Sequence, residues 1–204
     1  MILNVPFYVQ GINECGPVTL QMVLEYLGER YDKEKIKQLI DSDSSGTTWT
    51  LDLAKAAAQI GFKTEFYTTF LGFNPKNFEL EYYQKNTDGL KKSEEKTERL
   101  YSECAKYNVE MKEKSFTIKE ITSKISKDCI PIVLLDWGKI DDAGKFIGHF
   151  VPIVGYDKDN IYVHNPGPKD PQQNYPIKRG LFDTARKALG TDEDIIFIHR
   201  KLNK

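Results

Sequence analysis

Cysteine is scarce in this sequence: Cys15, Cys104 and Cys129 are the only three among 204 residues. An odd number at wide spacings argues against a disulfide framework and turns attention to a single reactive thiol. No CxxC or HxxxH pair opens a metal site, so no metal or other cofactor is expected. Apolar runs long enough to cross a membrane, about 20 residues, are also missing. The first residues, Met1 to Pro6, lack the basic and apolar regions of a signal peptide, which predicts a cytoplasmic protein. Charge of one sign is not in excess, with 29 Lys and Arg against 30 Asp and Glu and a formal charge of −1. That balance excludes a broad basic surface for nucleic acid or for an anionic membrane.

What is present is ordinary globular material, 40% hydrophobic and 29% charged, enough for one domain of generous size. Leu20, Val23, Leu24 and Leu27 recur at helical spacing and predict a helix over 17–27, with Pro17 in its first turn and Cys15 just ahead of it. A short helix follows Asp32, 41–46 reads as a loop, and a third helix is expected over 51–60 behind Thr50 as its cap. Residues 62–70 alternate with period two and predict a strand. Residues 74–115 are polar, dense in mixed charge at 91–99, and carry only a thin apolar stripe. They read as a helical insertion resting on the body. Thr117 and Glu120 form a capping box for the next helix, and strands are expected at 130–135, 146–156, 161–165 and 194–199, with a helix at 181–188. Helices first and strands later predict an α+β fold with a mainly antiparallel sheet.

The chemistry starts at Cys15. A helix N-terminus favours the thiolate, and its free N–H groups can hold an oxyanion beside the sulfur. A thiol nucleophile needs a base, and the base needs a third group to hold its tautomer. His149 opens one predicted strand and Asn165 ends the next. They share a face only if the hairpin loop is odd in length or one strand bulges; Pro152, which cannot donate to a ladder, marks an edge or such a bulge. Asn165 then lies diagonal to His149, opposite Val151, within side-chain reach. Taken singly, each residue has a bland reading: a buried thiol, a sheet-edge histidine, a turn asparagine. The three together favour a site.

Val5-Pro-Phe-Tyr-Val-Gln10 followed by Glu14-Cys-Gly-Pro17 resembles the nucleophile motif of the double-glycine leader peptidases and their stand-alone relatives, a papain-like clan. Gly46-Thr-Thr48 is similar to that family's next block. Gly148-His-Phe-Val-Pro-Ile-Val-Gly-Tyr-Asp157 resembles its histidine motif, and Val163-His-Asn-Pro166 its third, where aspartate-proline is usual. The resemblance spans most of the chain apart from about 73–115. It implies a papain-like fold in which Cys15 attacks, His149 shuttles the proton, Asn165 accepts from its Nδ1–H, and Gln10 donates to the oxyanion. Gln10 stands one residue closer to the cysteine than is common in transporter-linked members. The implied function is a cysteine peptidase or amidase acting on a peptide or protein through a thioester. Two alternatives stay open: an acyltransferase, transglutaminase-like enzyme or deamidase with the same site, and a silent peptide-binding module. His164, on the opposite face from Asn165, is expected to be structural, as are His199, Cys104 and Cys129. Asp136 and Trp137 border the cleft by position only.

Overall fold

The stripe at 17–27 lies in α1 (Cys15–Tyr26), whose Leu20, Val23 and Leu24 are fully buried. This computed structural model describes residues 1–40 and 46–201, so the loop read at 41–46 falls, but for Gly46, outside the described residues. α2 (Lys33–Leu39) begins where Asp32 accepts the Lys35 N–H at 2.7 Å. α3 (Thr50–Gln59) begins one residue earlier than expected, because Asp52 Oδ2 accepts the Trp49 N–H at 3.0 Å and makes Trp49 the cap.

A seven-stranded sheet follows: β1 (Lys63–Thr68), β2 (Glu110–Glu113), β3 (Cys129–Asp136), β4 (Gly148–Tyr156), β5 (Asn160–Asn165), β6 (Gln172–Lys178) and β7 (Ile195–His199). Their spatial order is β2-β1-β7-β3-β4-β5-β6, and only the β1–β2 pair is parallel. Alternation sorts the strands' side chains. Ile130, Ile132, Phe150, Ile196 and Ile198 join α1 and α3 in one core. Val133, Leu135, Val151, Ile195 and Phe197 form a second core on the other face, closed by Ile121 of α6 (Ile118–Lys124) and Phe182 of α8 (Arg179–Arg186). The Thr117–Glu120 capping box is present at the start of α6. The architecture is α+β with a mainly antiparallel sheet, as the order of elements predicts. Among the described residues no helix is long and apolar enough to cross a membrane.

Residues 74–115 differ from the thin helical layer expected of them. They form a 3-10 turn (Pro75–Glu79), α4 (Glu81–Asn86), α5 (Leu90–Lys106) and the edge strand β2. Leu100 and Cys104 of α5 are fully buried in the same core as α1 and α3. The polar look of this stretch misleads because Ser93 and Thr97 are buried too, with Thr97 Oγ1 donating to Ser93 O at 2.8 Å. β2 is Glu-Met-Lys-Glu, too short and too charged to read as a strand, although Met111 packs against the same core. Leu100→Ala is therefore expected to cost about 3 kcal/mol in denaturant unfolding, the range of a core truncation; a loosely resting layer would lose under about 1 kcal/mol.

Candidate active site

The site forms where the sheet splits. β3 pairs with β4 from Gly148 to Pro152, whereas β5 joins β4 only from Ile153 onward. The outer side of His149–Pro152 is thus left without a strand neighbour, and α1 takes the place. Thr19, one turn along from Cys15, donates to Phe150 O at 3.0 Å in a buried bond, and the Phe150 N–H faces the Cys15 sulfur. One residue of β4 thereby sets α1 beside His149.

The hairpin register meets the condition set by the sequence, through a bulge. Tyr156 pairs with Ile161 and Ile153 with Val163, with the shift between Ile153 and Gly155. Pro152 lies just before that bulge, in a central strand. Continuing the register sets Asn165 opposite Val151, and His149 Nε2 meets Asn165 Oδ1 at 3.0 Å.

The asparagine's other bonds fix the histidine's tautomer. Asn165 Oδ1 also accepts the Gly167 N–H at 3.1 Å, and Nδ2 donates to Asp170 O at 2.9 Å. Oδ1 is therefore an acceptor and His149 Nε2 carries the proton, leaving Nδ1 with a lone pair. This corrects the expectation that Nδ1–H would face the asparagine. Trp137, at the start of α7 (Trp137–Ile140), covers the pair, its ring 4.9 Å from the imidazole and at 69° to it. Its place after β3 was the only sequence signal for this.

Gln10 is buried, and its N–H donates to Pro166 O at 2.9 Å, tying it to the Asn165 loop. Its Nε2 donates one proton to Gly11 O at 3.1 Å, leaving the second. The turn from Gln10 to Cys15 is held by Glu14, which accepts the Gly11 N–H at 2.9 Å and is itself gripped by Lys33 at 2.7 Å and Lys37 at 3.2 Å. A side chain at Gly16 would put its Cβ 2.8 Å from Thr48 Cγ2, so glycine lets the Gly46–Trp49 segment close over the start of α1.

Gln10, Cys15 and His149 line one cavity of about 260 Å³, floored by Thr50, Thr68, Asp192 and Asp194 and roofed by residues 73–101. Tyr82 of α4 lies against Gly148, where an added Cβ would meet its hydroxyl at 3.1 Å. Asn165 stands behind His149, outside the lining.

Electrostatics correct the expected thiolate. Burial pushes the Cys15 thiol up, more than the N–H groups of Phe150, Gly16 and Cys15 itself bring it down. Burial likewise holds His149 down at about 4, with the Asn165 bond a smaller opposing effect. Both shifts favour a neutral thiol beside a neutral imidazole over the ion pair. A histidine whose folded pKa lies below its unfolded value near 6.5 contributes stability in full above pH 6.5, and loses it as pH falls toward 4. The shift corresponds to about 3 kcal/mol. In unfolding titrations, His149→Gln should remove that part of the acid slope; an unchanged slope would mean that His149 is not desolvated.

The other sequence candidates are structural. His164 is fully buried, its Nε2 bonded to Val5 O at 3.0 Å and its Nδ1 accepting the Asn174 N–H at 3.1 Å, away from Asn165. His199 pairs with Glu65 at 2.8 Å. Cys104 and Cys129 are buried, each pushed up to about 12 by desolvation.

Comparison with solved structures agrees on the fold. The chain is similar to a C39-like peptidase from Bacillus anthracis (TM-score 0.58, 15% identity, 99% of this chain and 98% of that one). It is also similar to a double-glycine-motif protease from a peptidase-containing transporter, solved with its leader peptide (0.56, 16%, 97% and 94%). The peptidase domain of Streptococcus ComA gives 0.54 at 14% identity, over 97% and 98%. Sequence comparison leads elsewhere than the motif resemblance. Guanylyl cyclase 1 of Arabidopsis thaliana is 26% identical over 203 residues, 91% of this chain and 72% of that protein. The family model described as guanylylate cyclase matches residues 5–198. The chain thus belongs to the guanylylate cyclase family and has the papain-like fold of the double-glycine peptidases.

Proposed function

We propose that this protein is a cysteine-dependent hydrolase of amide or peptide bonds, with Cys15 as nucleophile, His149 as base, Asn165 as the group orienting it and Gln10 in the oxyanion site. The observation that carries the reading is the Asn165 amide. Its three hydrogen bonds leave His149 Nδ1 as a proton acceptor in a cavity shared with a thiol at a helix N-terminus.

Because the pair is neutral at rest, attack and proton transfer run together. The sulfur bonds to the acyl carbon as its proton moves to Nδ1, and the carbonyl oxygen takes the negative charge. The Cys15 N–H and the second Gln10 Nε2 proton are the donors for that oxyanion. The C–N bond then breaks, Nδ1–H protonates the leaving amine, and a thioester remains on Cys15. His149, neutral again, takes a proton from water as its oxygen adds to the acyl carbon; the C–S bond then breaks, the acid leaves, and Nδ1–H returns the proton to the Cys15 sulfur. An amine in place of water would give the acyl-transfer variant. The expected substrates are peptides or proteins.

Family membership favours a second reading, nucleotide cyclisation, after the name of the Arabidopsis relative. The charge of the cavity weighs against it, since its described lining includes two aspartates and no Lys or Arg to meet a triphosphate. One experiment separates the two. The whole chain is incubated with a peptide-anilide panel, and in parallel with GTP and divalent metal. Anilide hydrolysis lost in Cys15→Ala supports the hydrolase. Cyclic nucleotide made equally by wild type and Cys15→Ala would replace it with the cyclase.

A further inference from the structure

The cavity extends well past the two groups that need it for chemistry. Asp194 lies directly before β7, and its C=O accepts the Leu134 N–H at 3.2 Å. Leu134 in turn pairs with Phe150, whose N–H faces the Cys15 sulfur. Two strand spacings therefore separate Asp194 from the Phe150 backbone, on the order of 10 Å. That row runs along one face of the sheet, and Asp194, Leu134 and Phe150 all line the cavity. Aromatic rings wall it: Trp49 and Phe73 sit edge to face at 5.3 Å, with Tyr83 6.3 Å from Phe73 and Tyr101 6.3 Å from Phe66.

Hydrogen-bond accounting shows what this end lacks. Asp192 is satisfied, accepting from Asn74 Nδ2 and Asn77 Nδ2 at 2.7 Å each. Asn77 is 3% exposed, and with its Nδ2 committed, its Oδ1 is a buried acceptor that has no partner among the described residues. Asp194 keeps accessible surface in the cavity. Its carboxyl is pushed up to about 7 by burial and by Asp192, against the smaller pull of the Thr50 and Thr68 hydroxyls. The chamber thus offers the Asp194 carboxylate and aromatic rings, with no basic side chain in its described lining. A cation carrying several N–H groups supplies what each of these wants.

We propose that the chamber between Cys15 and Asp194 is a specificity pocket for a substrate group ending in a primary ammonium or guanidinium, as on a lysine-like or arginine-like side chain. The assignment as a substrate pocket rests on the reading of Cys15 as nucleophile; the binding itself does not. Isothermal titration of the whole chain with n-hexylammonium, n-hexanol and n-hexanoate at pH 8 tests it. Hexylammonium should bind at least about tenfold more tightly than hexanol, with hexanoate weakest, and Asp194→Asn should bring the ammonium and the alcohol to within about twofold. Equal or tighter binding of hexanol, preference for hexanoate, or an ammonium preference surviving in Asp194→Asn would each overturn the proposal. Should that variant fail to fold, the wild-type ranking decides. Calorimetry reads occupancy and not turnover, so a cation pocket without hydrolysis would overturn only the catalytic reading, and hydrolysis without ammonium preference only this one.

Discussion

Cys15→Ala is expected to lower amide hydrolysis by at least about 10³-fold while leaving the fold intact, because the proposed mechanism forms the acyl bond on its sulfur. Cys15 is half-buried at the start of α1, with backbone N–H groups of Phe150, Gly16 and Cys15 around its sulfur. Removing one sulfur from a site with open cavity space on one side leaves no large void in the core. Circular dichroism and the unfolding midpoint should therefore change little, with turnover falling to background. Cys104→Ala is the control for the opposite behaviour. That thiol is fully buried, its Sγ 3.6 Å from Leu51 O, so its loss should cost stability and leave the chemistry in place. Equal turnover by wild type and Cys15→Ala would exclude the thiol from the reaction.

Asn165→Ala carries the second-largest effect, about 10² to 10⁴-fold on the acylation rate, the range seen when a base loses its orienting partner. Without Oδ1 nothing selects the Nε2–H tautomer, and the Gly167 N–H and Asp170 O lose their partner as well. Asn165→Asp separates orientation from charge. It keeps an acceptor for Nε2–H and adds a negative charge that favours the imidazolium, so the His149 pKa should rise from about 4 toward neutrality. The acid limb of the pH–rate profile should then move to higher pH, measured in single-turnover assays. The cost is a carboxylate oxygen facing Asp170 O. A profile that stays in place in Asn165→Asp would show that the base is another group.

Much of this was legible in the sequence, for identifiable reasons. Leu20, Val23 and Leu24 at helical spacing set α1 and so the place of Cys15. Parity alone demanded an odd loop or a bulge between His149 and Asn165, and the bulge at Ile153–Gly155 supplies it. β6 was missed because Gln172–Lys178 is a polar edge strand containing Pro176, which has no N–H to pair. Helix position argues for the thiolate, while the desolvation that pushes the Cys15 thiol up depends on what surrounds the sulfur in three dimensions, which the sequence does not display. Asp194 gave one weak signal, an acid directly before a run of β-formers, and its distance from Cys15 in the chain hid their common cavity. The family was legible in part: the fold is that of the double-glycine peptidases, whereas the sequence match over 5–198 is to the guanylylate cyclase family.

The most direct test of the central claim is the rate at which iodoacetamide labels each of the three thiols between pH 5 and 9, read by peptide mass spectrometry. Cys15, which lines the cavity together with His149, should be labelled at least about tenfold faster than Cys104 and Cys129, which burial holds near 12. Its rate should climb through the whole range without a plateau, as a neutral pair requires, and His149→Ala should slow it. Labelling of Cys15 no faster than the two buried thiols, or a rate indifferent to His149→Ala, would contradict the account.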